Sequence, residues 1–524
     1  MTMNDTTDFS RRSVLKGLGG LASTAALAGC SSVLGRDSAP SVRYAQALAP
    51  KTLDPVRMAD PWSQSVATNV FEGLYRYDHD MTLVPQLAAG EPTVENDGKT
   101  HVVTLETDAR FHDGAAVTAA DVAYSYRAVR EEERPDMWQV RPLDHIEVRD
   151  ETTVAFHLSH PYPAMGHALT RGIVPKGVRE SNPEKFAHKK PVGSGPYEVE
   201  TATLGEHVSL THWPEYWGDA APTITHARFV QNHSDLARTT SLKTGQNDIV
   251  ERVNPRLWDV TKDFSNAKTA LQEGYLSHYI GFNCNEGPTA DPRVRLAIDY
   301  LVNLDEVTEQ FIGPVGRRQY GLLPPQLASE WELPVDAWRS IPRAKNKEKA
   351  KQLFIEADVG SWAPTIAVPK HDLLREKIAE ELVHGLSAVG FYRARTEKYP
   401  WDEFREKIVS GSPSEYNIFV DAWAGGPDPD TYLYPLFHEN AEGRTNGTFY
   451  QNESVMQTLD DARKTTDEAR RRDLYESATR TLLEERVALP VFTLDNSFGL
   501  AAGIDGFDPH PLPGENPRLA ALDP

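Results

Sequence analysis

Residues 10–30 decide how much of this chain folds, and on which side of a membrane. Ser10-Arg11-Arg12-Ser13-Val14-Leu15-Lys16 places paired arginines ahead of a weakly apolar stretch of Gly, Leu and Ala, which ends at Leu27-Ala28-Gly29-Cys30. A charged head, a short apolar middle and small residues before a Cys read as a twin-arginine export signal ending in a lipobox, cut before Cys30, whose thiol then receives a lipid. The apolar middle is shorter than the ~20 residues a membrane-spanning helix needs. The chain is therefore expected to be exported and lipid-anchored at the extracellular face of the cell membrane; an uncut N-terminal anchor would leave its bulk on the same side. Residues 1–30 form the signal, and residues 31–41, small and polar with Gly35 and Pro40, a flexible tether. Beyond them the only thiol is Cys284, so a disulfide framework is excluded. A chain of 524 residues exceeds one simple core, and two or three domains must hold together by apolar burial.

Asp and Glu number 76 against 55 Lys and Arg, a formal net charge of −21. Phosphates would be repelled, so a nucleic-acid partner is disfavoured. The acid runs along the whole chain and Arg is favoured over Lys, which fits a protein kept soluble in concentrated salt, where screening removes the self-repulsion. The reading is a halophilic archaeal surface protein, with an acidic bacterial one as the alternative. Asn232-His233-Ser234, Asn446-Gly447-Thr448 and Asn452-Glu453-Ser454 are glycosylation sequons, meaningful only outside the cell.

From Val42 onward the pattern is mixed α/β. His101–Glu106 and Thr153–Leu158 alternate as strands do. Thr118 caps a helix running through Tyr126, and Asp291-Pro292 opens another from Arg293 to Val302. Helical spacing recurs over Lys345–Ala357, Leu373–Val389, Trp401–Val409 and Ser454–Glu485. Cys284 lies in a strand-like run, Tyr279–Asn285, where a buried inert thiol is expected.

Several short motifs follow one another in order: Leu53-Asp54-Pro55, Phe71-Glu72-Gly73-Leu74-Tyr75, Leu83-Val84-Pro85-Gln86-Leu87, Phe111-His112-Asp113-Gly114, Pro191-Val192-Gly193-Ser194-Gly195-Pro196-Tyr197, Tyr216-Trp217-Gly218, Asp291-Pro292-Arg293-Val294-Arg295 and Pro427-Asp428-Pro429-Asp430. Each alone reads as turn or packing chemistry. His112 and Asp113 lack a third ligand at metal spacing, and Val192–Gly195 reads as a bending point between lobes. Together and in this order, the motifs resemble the family 5 solute-binding proteins of ABC importers, the dipeptide-, oligopeptide- and nickel-binding group, over essentially the whole mature chain. The resemblance implies an α/β, two-lobed periplasmic-binding-protein-like fold (class II) in its large form, with an extra inserted subdomain. Lobe one would comprise 42–70, 190–274 and 488–524, the inserted subdomain 71–189, and lobe two 275–487, with crossings near Tyr275 and Pro490. It also implies a monomer that captures a peptide or other small solute by lobe closure and delivers it to ABC permease membrane subunits.

No enzymatic constellation emerges: there is no His-Glu-x-x-His helix and no phosphate-cradling loop. Gly17–Ala22 matches a dinucleotide fingerprint only inside the export signal, with no strand before it. No catalytic residue, metal or cofactor is expected. The other readings are a secreted hydrolase, which needs a nucleophile and base that are not found, and a surface solute receptor uncoupled from transport. The resemblance places ligand contacts in two segments. One is the loop Asp60, Pro61 and Trp62. The other runs from Trp401 through Asp421, Trp423, Gly425, Gly426 and Asp428. Gly425 or Gly426 occupies the place where peptide-binding relatives carry an Asp for the peptide's amino terminus, leaving Asp421 or Asp428 as substitutes.

Overall fold

The computed structural model describes residues 40–219 and 222–523; Cys30, the signal and residues 31–39 lie outside the described residues. Its backbone is organised by two long antiparallel strands, Ala267–Phe282 and Ala488–Ala501, at the centre of an 11-stranded mixed sheet. The second is buried almost throughout, as a strand covered on both faces must be. The two pair from Ala267 with Ala501 to Gln272 with Asn496, lose register, and resume at Leu276 with Leu494. Glu273-Gly274-Tyr275 fills the break. A Cβ on Gly274 would stand 2.2 Å from the Leu494 carbonyl oxygen, so only glycine allows this approach.

The sheet continues to either side of the break as two lobes. On one side, Ser41–Gln46 pairs in parallel with Ile249–Glu251 and with His226–Gln231, and His207–His212 and Tyr197–Thr203 complete the edge. On the other, Thr365–Pro369 pairs in parallel with Arg395–Tyr399 and with Ile418–Ala424, which returns to the long strand. Parallel neighbours require crossovers, and helices supply them: Asp235–Lys243 in the first lobe, Leu373–Ala388 and Trp401–Ile408 in the second.

A separate four-stranded antiparallel sheet, in the order Thr93–Glu95, Thr100–Thr104, Thr153–Leu158, Leu143–Val148, carries the helix Ala119–Glu131. Thr118 and Asp121 form a capping box at that helix start. This sheet and the first lobe share one core, where Tyr44, Phe156 and Phe229 meet. Two further cores follow, one around Ile280, Ile366 and Leu382 that also takes in Val250 and Trp258 of the first lobe, the other around Phe404, Tyr432 and Leu482.

The expected elements are present, with two differences. The run 454–485 is two helices, Glu453–Lys464 and Glu468–Glu484, because Asp467 caps a new start by accepting from the Arg470 N–H at 2.8 Å. Val192–Gly195 bends inside the first lobe rather than between lobes: a Cβ on Gly193 would lie 1.9 Å from the Val70 carbonyl oxygen. The short motifs join one another. Glu72 accepts from Tyr216 Oη at 2.7 Å and Trp217 Nε1 at 3.0 Å. His112 accepts from the Gly193 N–H at 3.1 Å through Nδ1 and donates to the Gly195 carbonyl at 2.9 Å through Nε2, so it is a neutral scaffold imidazole. Cys284 lies just past its strand, its thiol pushed up by burial to about 11. Asn446 is fully buried, accepting from the Thr448 N–H and donating to the His438 carbonyl, so that sequon is closed in the folded chain.

Candidate functional site

Two adjoining cavities share Arg252 and Ser497, and the larger of them lies where the lobes face each other. The first is lined by Pro61, Trp62, Glu251, Arg252 and residues 496–498, all of the first lobe. The second lies between Ala47, His233, Asp235, Arg238 and Arg252 of the first lobe and His278, His371, Asp372 and Leu374 of the second.

Local structure explains how each wall is held. Asp60 is the N-cap of the short helix Pro61–Ala67, accepting from Ser63 N at 2.8 Å and Ser63 Oγ at 2.7 Å, with Pro61 at the first helical position. Burial pushes its carboxyl up despite those bonds. Asp60 thus shapes the wall without facing the cavity. Trp62 follows on the same turn. Its Nε1 donates to Glu251 at 3.0 Å, the Arg252 guanidinium lies 5.3 Å over its ring, and its edge meets Trp401 at 5.8 Å and 87°. Trp62 belongs to the first lobe and Trp401 to the second, so this contact closes the gap between them. Lys51 with Asp402 and stacked His233 and His371, 5.1 Å apart, do the same nearby.

The expected second segment divides. Trp401 sits in the cleft. Asp421 does not face it: it is fully buried in its strand between Arg405 at 2.5 Å and Arg375 at 3.4 Å. Trp423 donates from Nε1 to the Thr431 carbonyl at 2.8 Å, fastening its own loop. A Cβ on Gly425 would lie 2.4 Å from Thr431 Oγ1, and one on Gly426 2.6 Å from His167 Nδ1. Both glycines therefore admit protein atoms, not an open space. Asp428 accepts both bonds of its ion pair from Arg471 Nη2 at 2.9 Å. Neither substitute carboxylate is free.

Residues without any motif complete the cavity. Arg252 follows the strand Ile249–Glu251 with a left-handed backbone, φ 50°. Burial draws its guanidinium below its ordinary value against the pull of Glu251 and Asp372. His278, on the long crossing strand, is 2% exposed and pushed down to about 3 by burial. Asp372 caps the helix Leu373–Ala388; burial opposes its ionisation, but Arg375, His278 and Arg252 hold its carboxyl below the usual range. These groups come from separate segments, so spacing along the chain does not connect them. Among the described residues, no three His, Cys, Asp or Glu side chains are placed to hold a metal ion. No helix among them is long and apolar enough to cross a membrane.

Comparison with known proteins agrees with this geometry. Protein XP55 of Streptomyces lividans is 27% identical over 90% of this chain and 87% of its own length. The glutathione-binding protein GsiB of Salmonella choleraesuis is 25% identical over 84% and 86%. The oligopeptide-binding protein AppA of Bacillus subtilis, solved with a nonapeptide, superposes with a TM-score of 0.83 at 20% identity, covering 92% of this chain and 98% of AppA. The fold is thus the two-lobed, class II form of periplasmic binding proteins, and the family is one of binders rather than catalysts. Residues 82–444 match the family described as bacterial extracellular solute-binding proteins, family 5, and the chain belongs to that family.

Proposed function

We propose that this protein is the capture component of an ABC importer, anchored outside the cell through Cys30, which closes on a small solute and presents it to a membrane permease. The observation that carries the reading is the cleft between the lobes: a cavity lined by residues of both, with Trp62 and Trp401 meeting across the gap. The register break at Glu273–Tyr275 supplies the hinge. Solute binding shifts the chain toward the closed form only by contacts that the open form lacks, and the facing walls offer such contacts. The segmentation into lobe one (42–70, 190–274, 488–524), inserted subdomain (71–189) and lobe two (275–487) is supported by the separate antiparallel sheet and by the crossing strands.

Trp62, Arg252 and His278 are the ligand-facing residues in this reading, with Trp401 packed against Trp62 from the other lobe. Asp60 and Pro61 shape their wall, while Asp421, Trp423, Gly425, Gly426 and Asp428 hold the second lobe's loop in place. With Asp421 and Asp428 both occupied by arginines, a free amino terminus has no carboxylate waiting for it. The bound solutes named for relatives, glutathione and a nonapeptide, define the first compounds to try. Small-angle scattering of the mature chain, with and without a mixture of short peptides and glutathione, tests the reading. A contraction on addition supports it; an unchanged radius, together with an unchanged melting temperature, refutes it. The Cys30→Ser variant tests the anchor, since an equally membrane-bound and unshortened product would exclude lipidation. Halophilic origin is proposed on the acid excess alone.

A further inference from the structure

Among the charged side chains lining the two cavities, one makes no ion pair or hydrogen bond within the described residues. Asp235 is held by Arg238 at 2.7 Å and also accepts from Asn254 at 2.8 Å. Asp372 is matched by Arg375 at 3.4 Å. Glu251 is taken up by Trp62 Nε1, Tyr44 Oη and the Ala47 N–H. That leaves Arg252. Its guanidinium has no ion pair or hydrogen bond among the described residues, and it lines both cavities. It follows its strand with a left-handed backbone, in a chain of net charge −21. The Trp62 ring and the nearby Glu251 and Asp372 carboxylates offset part of the cost of burying this cation, but none of them accepts a guanidinium N–H.

A second observation points to the same ligand chemistry. His278 is 2% exposed and lines the larger cavity, and its Nδ1 has no hydrogen-bond partner among the described residues. A third follows from the helices. The N-termini of Asp235–Lys243, Pro255–Lys262 and Leu373–Ala388 all border the larger cavity and add positive potential there.

Resting on the solute-binding reading, we propose that the solute carries a carboxylate that Arg252 grips from the first lobe, with His278 completing its hydrogen bonding from the crossing strand. The ligand class is then an anionic small molecule, recognised at its acid group rather than at an ammonium. A guanidinium fits this role because its planar fork matches a carboxylate with two parallel bonds. The stacked His233 and His371 close the mouth on the same side.

The test is a thermal-shift and calorimetric panel of matched pairs on the mature chain: tripeptides, short dicarboxylates and N-acyl amino acids, each as the free acid and as the primary amide. The acid member of at least one pair should raise the melting temperature and its amide should not. Arg252→Gln should weaken that acid's binding by about thirtyfold or more, the scale of removing one partner from a desolvated charge pair. Arg252→Lys should recover part of the loss, and Arg472→Gln, a surface change opposite Glu332, should leave binding unaltered. The unliganded melting curve of Arg252→Gln shows whether the variant folds. Amides that bind as well as acids, or full binding by a folded Arg252→Gln, overturn the proposal while leaving solute binding intact. No shift from any acid or amide overturns both.

Discussion

Removing Trp401 should cost solute affinity and spare the fold. The Trp62–Trp401 edge contact joins residues of opposite lobes, so it exists only when the cleft is closed. An edge-to-face aromatic pair contributes about 1 kcal/mol beyond its buried area, whereas the Arg375 guanidinium 5.5 Å over the Trp401 ring belongs to the same lobe and is kept when the lobes part. Trp401→Ala therefore removes about 1 kcal/mol from the closed form, a factor of about 5 in the closed-to-open ratio and in affinity. The helix Trp401–Ile408 should persist, because Ala is the better helix former and the fully buried Phe404 and Ile408 keep its core face. The assay pairs calorimetric titration, using a solute from the matched panel or one recovered from the purified protein, with a melting curve of the unliganded chain. Trp401→Phe should retain most of the affinity. A variant that binds at full strength but melts far lower would place Trp401 in the second lobe's core and refute the closure argument.

Asp421→Asn should act the other way, lowering stability by about 3 kcal/mol, because Arg375 and Arg405 lose their shared buried partner; chemical denaturation measures this, and a loss of affinity at unchanged stability would return Asp421 to the ligand. Stability should fall on acidification below pH 6.5. Burial lowers His112, His167 and His510 to about 4 and His278 to about 3, so their stabilising contribution is complete above the unfolded value of 6.5 and is lost as pH drops toward those lower values; a flat melting temperature from pH 7 to 4.5 would contradict it. The net charge of −21 predicts melting in low salt well below melting in molar salt, and equal midpoints would argue against a halophilic surface.

Local signals in the chain were informative wherever one residue settles a local choice. Thr118 and Asp291 mark helix starts because a cap acts within one turn, and Thr153–Leu158 shows its alternation because one face is buried. The ordered motifs mark the scaffold, since Glu72 with Tyr216 and His112 with Gly193 are contacts between those motifs. Of the expected ligand contacts, Trp62 lines a cavity and Trp401 packs against it from the other lobe. Asp421 and Asp428 looked available because nothing along the chain shows that Arg405 and Arg471 arrive to hold them. Arg252 and His278 stayed hidden for the converse reason: the lack of a partner is a property of three-dimensional packing, and no spacing announces it. The 454–485 run breaks where residues 463–473 carry a single apolar side chain, Ala469, so the periodicity lapses and the cap at Asp467 starts a second helix.

The most direct test of the central claim is native mass spectrometry of the mature chain purified without denaturation, before and after stripping and exposure to the matched acid and amide panel. The account predicts one small molecule per chain, an acid, released on unfolding and weakly retained by Trp401→Ala and Arg252→Gln. A bare mass under every condition, with no acid or amide taken up after stripping, would contradict it.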